Sequence, residues 1–391
     1  MRWVVLPCVL AAGCMQDADG RICRDSPPWI SDGMDTCPAP GDADGDDSVY
    51  RTYAYPSAIE TAGGARIAMR TREGDLDEVV ITTLDYATGT VGPLVTVPGT
   101  VGVPRLAGND NGTYLTWFDG VEAFGATLGS DSTLGDTFSY GPSYVSPGGD
   151  SHLEPFAIDD RFLVVEYDDR YQQARWIDAE GNVGAPFPFP GRVDRQGVTA
   201  AGAGFAATMY LQDGGLFIAR TNGATIELAR QAGLGSLAID GEGAILAAYG
   251  RLIRRIAPDG STSEQAVAST YGARLLGAGP RVYWIEHRED SAQDQYVIAE
   301  LDPSGILREP TTELVTHELR DNIMIAIEPV GDNVFAFSQD HGVELVRFDG
   351  ERVGPVRVAE SYAIDDGCNS GRGTGLALGL ALAGLRRRRT R

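Results

Sequence analysis

The chain contains no lysine: all 32 basic residues are arginines, and 55 acidic residues leave a formal net charge of −23. We read the missing lysine as genomic GC bias rather than as a functional mark. The deficit of positive charge argues against nucleic-acid binding and against adsorption to anionic lipid, since both need a basic surface. Long helical periodicity is also missing. There is no G-x-S-x-G elbow and no Walker A loop, so the usual marks of serine hydrolases and P-loop enzymes are absent. Cysteine is scarce, with five residues in 391.

Three partial motifs fail in context. His317-Glu318 begins like a zinc-protease helix, but Asp321 stands where the second histidine is required. The stretch Gly202-Ala203-Gly204-Phe205-Ala206-Ala207 mimics a dinucleotide loop, yet it sits at an expected β-turn with no helix after it. Asp42, Asp44 and Asp46 mimic the start of a calcium loop. Asp47 occupies its glycine position, however, and Tyr53 its final glutamate position.

What the sequence does hold is a repeat. Hydrophobic residues make up 43% of the chain, enough for a core, and 50 glycines with 21 prolines imply many turns. From about residue 55 to 360, short apolar runs alternate with turn residues, which argues for an all-β architecture. One set of turns precedes an apolar strand: Gly63-Gly64, Asn111-Gly112, Asp159-Asp160, Ala203-Gly204, Glu242-Gly243, Gly279-Pro280 and Asp332-Asn333. Their second residues lie 48, 48, 44, 39, 37 and 53 positions apart. A second set follows the next strand, with clear members at Asp85, Asp178, Asp259, Asp302 and Asp349 and weaker ones near Asp131 and Asn222. Asp and Asn bond the local backbone, and Gly supplies positive φ without steric cost. Seven units of this size, each with room for four short strands, match the blades of a β-propeller. One unit cannot bury both of its faces alone, so the units must stack. Six or eight blades, or an array of two-sheet sandwiches, remain alternatives. Residues 48–54 are a candidate for closing the ring. The repeat resembles bacterial secreted propellers in general and lacks the Gly-His and Trp-Asp marks of WD repeats.

The two ends read as sorting signals. Met1-Arg2-Trp3, an apolar run to Ala12 and Gly13-Cys14 form a secretory signal over residues 1–13. Cys14 after Ala11-Ala12-Gly13 resembles the lipobox of bacterial lipoproteins, which implies cleavage by a signal peptidase and lipidation of Cys14. An ordinary cleaved signal is the alternative. At the other end, Gly367-Cys368-Asn369-Ser370-Gly371 leads into an apolar run over residues 373–385, then Arg386-Arg387-Arg388-Arg389. Such a run, at about 1.5 Å per residue, makes a helix shorter than the roughly 30 Å hydrocarbon core. Together these features resemble the MYXO-CTERM sorting tail of myxobacteria and relatives. The resemblance implies recognition near Cys368, removal of the tail by a sortase-like membrane protease, and display on the cell surface or outer membrane. A plain tail anchor in the membrane is the alternative. With Cys8 lost in the signal, Cys23 and Cys37 remain and can pair in an oxidising compartment. Closing that loop is worth about 3 kcal/mol.

The domain plan is therefore a signal over residues 1–13, a disordered acidic linker or stalk over 14–49, a propeller over 50–362, and a tail with a short apolar helix over 363–391. Chemistry is legible at one place only. The ends of the second strands carry Asp119, Glu166 with Asp168, Glu286 with His287, and Asp340 with His341. Equivalent positions in different blades converge near one channel mouth. Carboxylates with imidazoles there suit calcium or another divalent ion, or acid–base work in a hydrolase or lyase. The competing reading is a set of solvated loop residues. Trp117, Trp176 and Trp284 read as blade packing. A surface-displayed, non-enzymatic binding or adhesion module for an envelope polymer or protein is the favoured function, and a purely structural surface protein is a further alternative. Mass spectrometry of the protein from its natural envelope is expected to find a lipid on Cys14 and no peptide containing Arg391. An unmodified Cys14 or a retained Arg391 removes the corresponding anchor.

Overall fold

A computed structural model describes residues 49–364, apart from 74–75, 143–152, 168–171, 190–197, 222, 224, 231–234, 269–272, 290–293, 309–310, 316–318, 320–324, 340–341 and 349–351. The signal, linker and tail, with Cys14, Cys23, Cys37, Cys368 and Arg386 to Arg389, lie outside these residues.

The described chain folds into two units. The larger, residues 53–71 and 77–360, is an all-β propeller of seven blades. Each blade takes four consecutive strands in antiparallel order, and the blades span residues 49–97, 103–142, 153–188, 198–230, 236–266, 273–315 and 325–360. We number them 1 to 7. Residues 49–52, 72–76 and 361–364 belong to the smaller unit. There Val49, Tyr50 and Arg51 pair antiparallel with Ile364, Ala363 and Tyr362. The Arg51 Nε donates to Glu73 at 2.7 Å. Part of the segment expected to close the ring thus pairs with the chain's own C-terminal strand.

The second strand of each blade explains the ring. In a strand, successive side chains point to opposite faces. A sheet stacked on both sides needs apolar residues at consecutive positions, and Phe162-Leu163-Val164-Val165 supplies them. Phe162 and Val164 pack with blade 2, through Tyr114 and Phe118. Leu163 and Val165 pack with Ala206 of blade 4. The same division holds for Val334-Phe335-Ala336-Phe337, where Val334 and Ala336 face blade 6 and both phenylalanines face blade 1. Seven apolar clusters result, one for each junction between neighbouring blades. The expected tryptophans behave as packing: Trp117 and Trp284 are buried, while Trp176 stacks on Phe187 beneath the Arg161 guanidinium.

Both sets of turns fall where their spacing placed them. The first set joins the two innermost strands of each blade. Asp159 and Ala203 accept positive φ there, at 53° and 47°. The hairpin Gly202↔Phe205 closes around Ala203-Gly204, so no dinucleotide loop exists at that point. The second set repeats one piece of chemistry. Asp85 accepts from the Thr88 amide at 2.8 Å, Asp178 from Asn182 at 2.8 Å, Asp259 from Ser261 at 2.8 Å and Asp302 from Ser304 at 2.9 Å. Asp131, in a weaker member, accepts from the Thr133 hydroxyl at 2.7 Å. These hydrogen bonds favour the charged carboxylate and hold all five below the ordinary aspartate value. Asn222 and Asp349 lie outside the described residues.

At the junction of blades 1 and 7, the strand Tyr362–Ile364, which follows blade 7 in the chain, joins the sheet of blade 1. That junction is also held by packing, with Ile67, Met69, Phe335, Phe337 and Leu345 fully buried in it. Replacing Phe335 by Ala deletes a ring with no exposure, a change that costs about 3–5 kcal/mol in a rigid core. Equilibrium unfolding in urea is expected to show a loss of that size for Phe335→Ala and almost none for Val121→Ala, at an exposed position. A loss below about 1 kcal/mol for Phe335→Ala contradicts closure by packing.

Candidate functional site

The strand-end residues have local partners. Asp119 is exposed and its carboxylate caps its own turn, accepting from the amides of Val121 at 2.8 Å and Glu122 at 2.7 Å. Glu166 is buried and accepts from Gln173 and from Arg175 Nε, both at 2.6 Å. Glu286 accepts from Arg288 at 3.1 Å. His287 stacks on Tyr296, with ring centroids 4.8 Å apart. Asp168, Asp340 and His341 lie outside the described residues. Among the described residues no three His, Cys, Asp or Glu side chains gather at metal-ligand distance.

A different constellation occupies the propeller's centre. The innermost strands line an open cavity of about 690 Å3, a size in the range of small-ligand sites, roughly 300–1,000 Å3. Six residues matter most in its lining: Tyr55, Arg105, Glu154, Arg274, Tyr296 and Glu328. They come from blades 1, 2, 3, 6 and 7. Each sits on a paired strand, so the backbone ladder fixes where it stands. Arg105 lies opposite Thr116, Arg274 opposite Ile285 and Glu328 opposite Phe335.

Glu328 is the hub. Its Oε1 accepts from Arg105 Nη1 at 3.2 Å, and its Oε2 accepts from the Ala58 amide at 3.3 Å. The Ser57 hydroxyl donates to the same carboxylate, and Ser57 Oγ itself accepts from the Leu106 amide at 3.0 Å. Arg274 is close enough to Glu328 to favour its charged form, and its Nη2 donates to the Ile327 carbonyl at 3.0 Å. Burial nevertheless dominates and pushes the Glu328 carboxyl above its ordinary range, against the pull of both arginines. Arg274 is exposed on its strand, with Glu328 and Tyr296 close to its guanidinium. Among the described residues, Arg105 and Arg274 each make one hydrogen bond to protein, so donors remain on both. Tyr55 lines the same cavity with a left-handed backbone, φ 52°. A non-glycine residue in that region is strained, and such strain collects at ligand sites.

Of the strand-end residues, His287 alone is seen touching this cavity's lining, through Tyr296. Sequence reasoning missed Arg105, Arg274 and Glu328. A signal existed for part of the group. Arg105, Glu154 and Arg274 each stand five or six residues before the first turn of their blade, as charges inside apolar strands.

No family model matches the chain, and no curated protein matches its sequence. Solved structures align with the chain at low identity. AztD from Citrobacter koseri gives a TM-score of 0.40 at 13% identity, covering 81% of this chain and 98% of that one. Hydrazine synthase from Kuenenia stuttgartiensis gives 0.49 at 10%, covering 76% and 96%. Streptogramin B lyase gives 0.42 at 12%, covering 81% and 98%. Overlays of this quality carry nothing about activity.

The raised Glu328 carboxyl has a thermodynamic consequence. The folded protein holds that proton more tightly than the unfolded chain, so its contribution to stability falls as pH rises above the ordinary 4.5 toward the folded-state value. Glu60 and Glu344 are raised as well and act with the same sign. They are common to wild type and Glu328→Gln, and cancel in the difference. Urea midpoints of the two proteins should converge or cross as pH rises from about 4 to about 7, the variant gaining relative to wild type. Parallel curves rule out titration of Glu328 in that window.

Proposed function

We propose that the chain is an exported propeller held at the bacterial cell envelope, and that it binds a small ligand in its central cavity without turning it over. The observation that carries the reading is the cavity of about 690 Å3 whose walls bring unspent guanidinium donors, a half-buried carboxylate and aromatic rings together from five blades. A rigid ring that presents loop and inner-strand residues toward one axis suits binding, since each blade varies its contribution without disturbing the others. The placement at the envelope follows from the lipobox-like Cys14 and from the sorting-tail features at Cys368 and Arg386 to Arg389. Signal peptidase and a sortase-like protease are the processing partners this reading requires. An envelope polymer that reaches the cavity by its end, or a released fragment of one, belongs to the ligands it admits.

Thr199 lines the cavity from blade 4, and its hydroxyl meets that of Thr208 at 3.1 Å. Thr199→Trp fills the space while leaving the inter-blade clusters untouched. A library of small envelope-derived metabolites is expected to contain compounds that raise the melting temperature of the wild type. A ligand at a hundred times its Kd stabilises by about 2.7 kcal/mol, and Thr199→Trp should abolish the shift. A library in which no shift depends on Thr199 removes the channel-binding reading.

A further inference from the structure

Resting on that reading, we propose that the cavity is a carboxylate site: a small organic acid docks with its carboxylate on Arg105 and Arg274 and its body against Tyr55, Phe156 and Tyr296. Two guanidiniums flank the Glu328 carboxylate, and each keeps donors that protein does not use. The carboxylate of Glu328 is itself already spent, on Arg105, on the Ala58 amide and on the Ser57 hydroxyl. Glu154, the other acid in the lining, also has a partner of its own. A cationic ligand would add to the repulsion between the arginines. A ligand without strong acceptors would leave their remaining donors unmatched. A carboxylate meets the planar fork of a guanidinium with two parallel hydrogen bonds. The rings and prolines of the same wall, Pro56, Pro155 and Pro329 among them, need an organic body to cover them, and a bare inorganic anion does not provide one. The strained backbone of Tyr55 fixes one of those rings at the cavity wall.

Isothermal titration calorimetry on the full-length protein tests this with matched probes: glucuronate against glucose, hydrocinnamate against hydrocinnamyl alcohol, and inorganic phosphate. The expected result is that at least one acid binds tenfold or more tightly than its neutral counterpart and than phosphate. Arg274→Gln and Arg105→Gln should each weaken that acid by tenfold or more. Arg105→Lys, which keeps the charge but loses the fork, should fall between wild type and Arg105→Gln. Thr199→Trp retains both arginines and should abolish binding, so the test survives an arginine variant that fails to fold. Which acid wins distinguishes a hydroxylated body from an aromatic one. Equal binding of an acid and its neutral counterpart overturns the carboxylate assignment while leaving channel binding intact. Phosphate that matches the acids overturns it too. If no probe binds, the carboxylate assignment falls. The channel reading falls with it only if no melting shift in the metabolite library depends on Thr199.

Discussion

Everything in the propeller depends on burying the second strand of each blade on both faces. A sheet of four short strands has one row of residues toward each neighbour and no third layer to cover it. Phe162 and Leu163 are adjacent in sequence, yet one belongs to the junction with blade 2 and the other to the junction with blade 4. Phe335 and Ala336 divide in the same way between blades 1 and 6. The junction of blades 7 and 1 carries such packing together with the strand Tyr362–Ile364, which pairs with Val49–Arg51 in the sheet of blade 1.

That arrangement explains what was legible before any coordinates. The repeat could be seen because the same local chemistry is rewritten in each blade: a tight turn with positive φ, an apolar run without alternation, then an aspartate that caps the next turn. Asp85, Asp131, Asp178, Asp259 and Asp302 all fold their carboxylates onto amides or hydroxyls a few residues ahead. Such signals are local, so a sequence displays them. The count of seven blades followed from them, and so did the assignment of the tryptophans to packing.

The cavity was not legible, and the reason is also physical. Arg105 and Glu328 are 223 residues apart, and Ala58 and Glu328 are 270 apart. They meet only because the ring closes. No spacing rule connects them, whereas the strand-end carboxylates are conspicuous in the sequence by being clustered. The structure finds Asp119, Glu166 and Glu286 engaged with turns and arginines of their own blades. A short-range cluster of acids is more readily explained by its nearest neighbours than by convergence. Isolated charges inside apolar strands, such as Arg274 in Ala273-Arg274-Leu275-Leu276, are the better sign of an axis, because nothing local accounts for them.

Closure and the cavity share one residue. Glu328 belongs to the last blade, takes the Ala58 amide and Ser57 hydroxyl of the first, and pairs with Arg105 of the second. Glu60 makes a similar link beside it, accepting from the Asp332 amide at 3.2 Å. A half-buried carboxylate with several donors loses stabilisation when a partner leaves. A ligand that draws Arg105 away from Glu328 therefore acts on a carboxylate that also links blade 7 to blade 1. The Ala58 and Ser57 donors limit the cost, since they keep the carboxylate solvated by protein whether or not the arginine turns toward a guest. Blade 1 thus supplies both the apolar face that closes the ring and the polar groups that let its centre exchange partners.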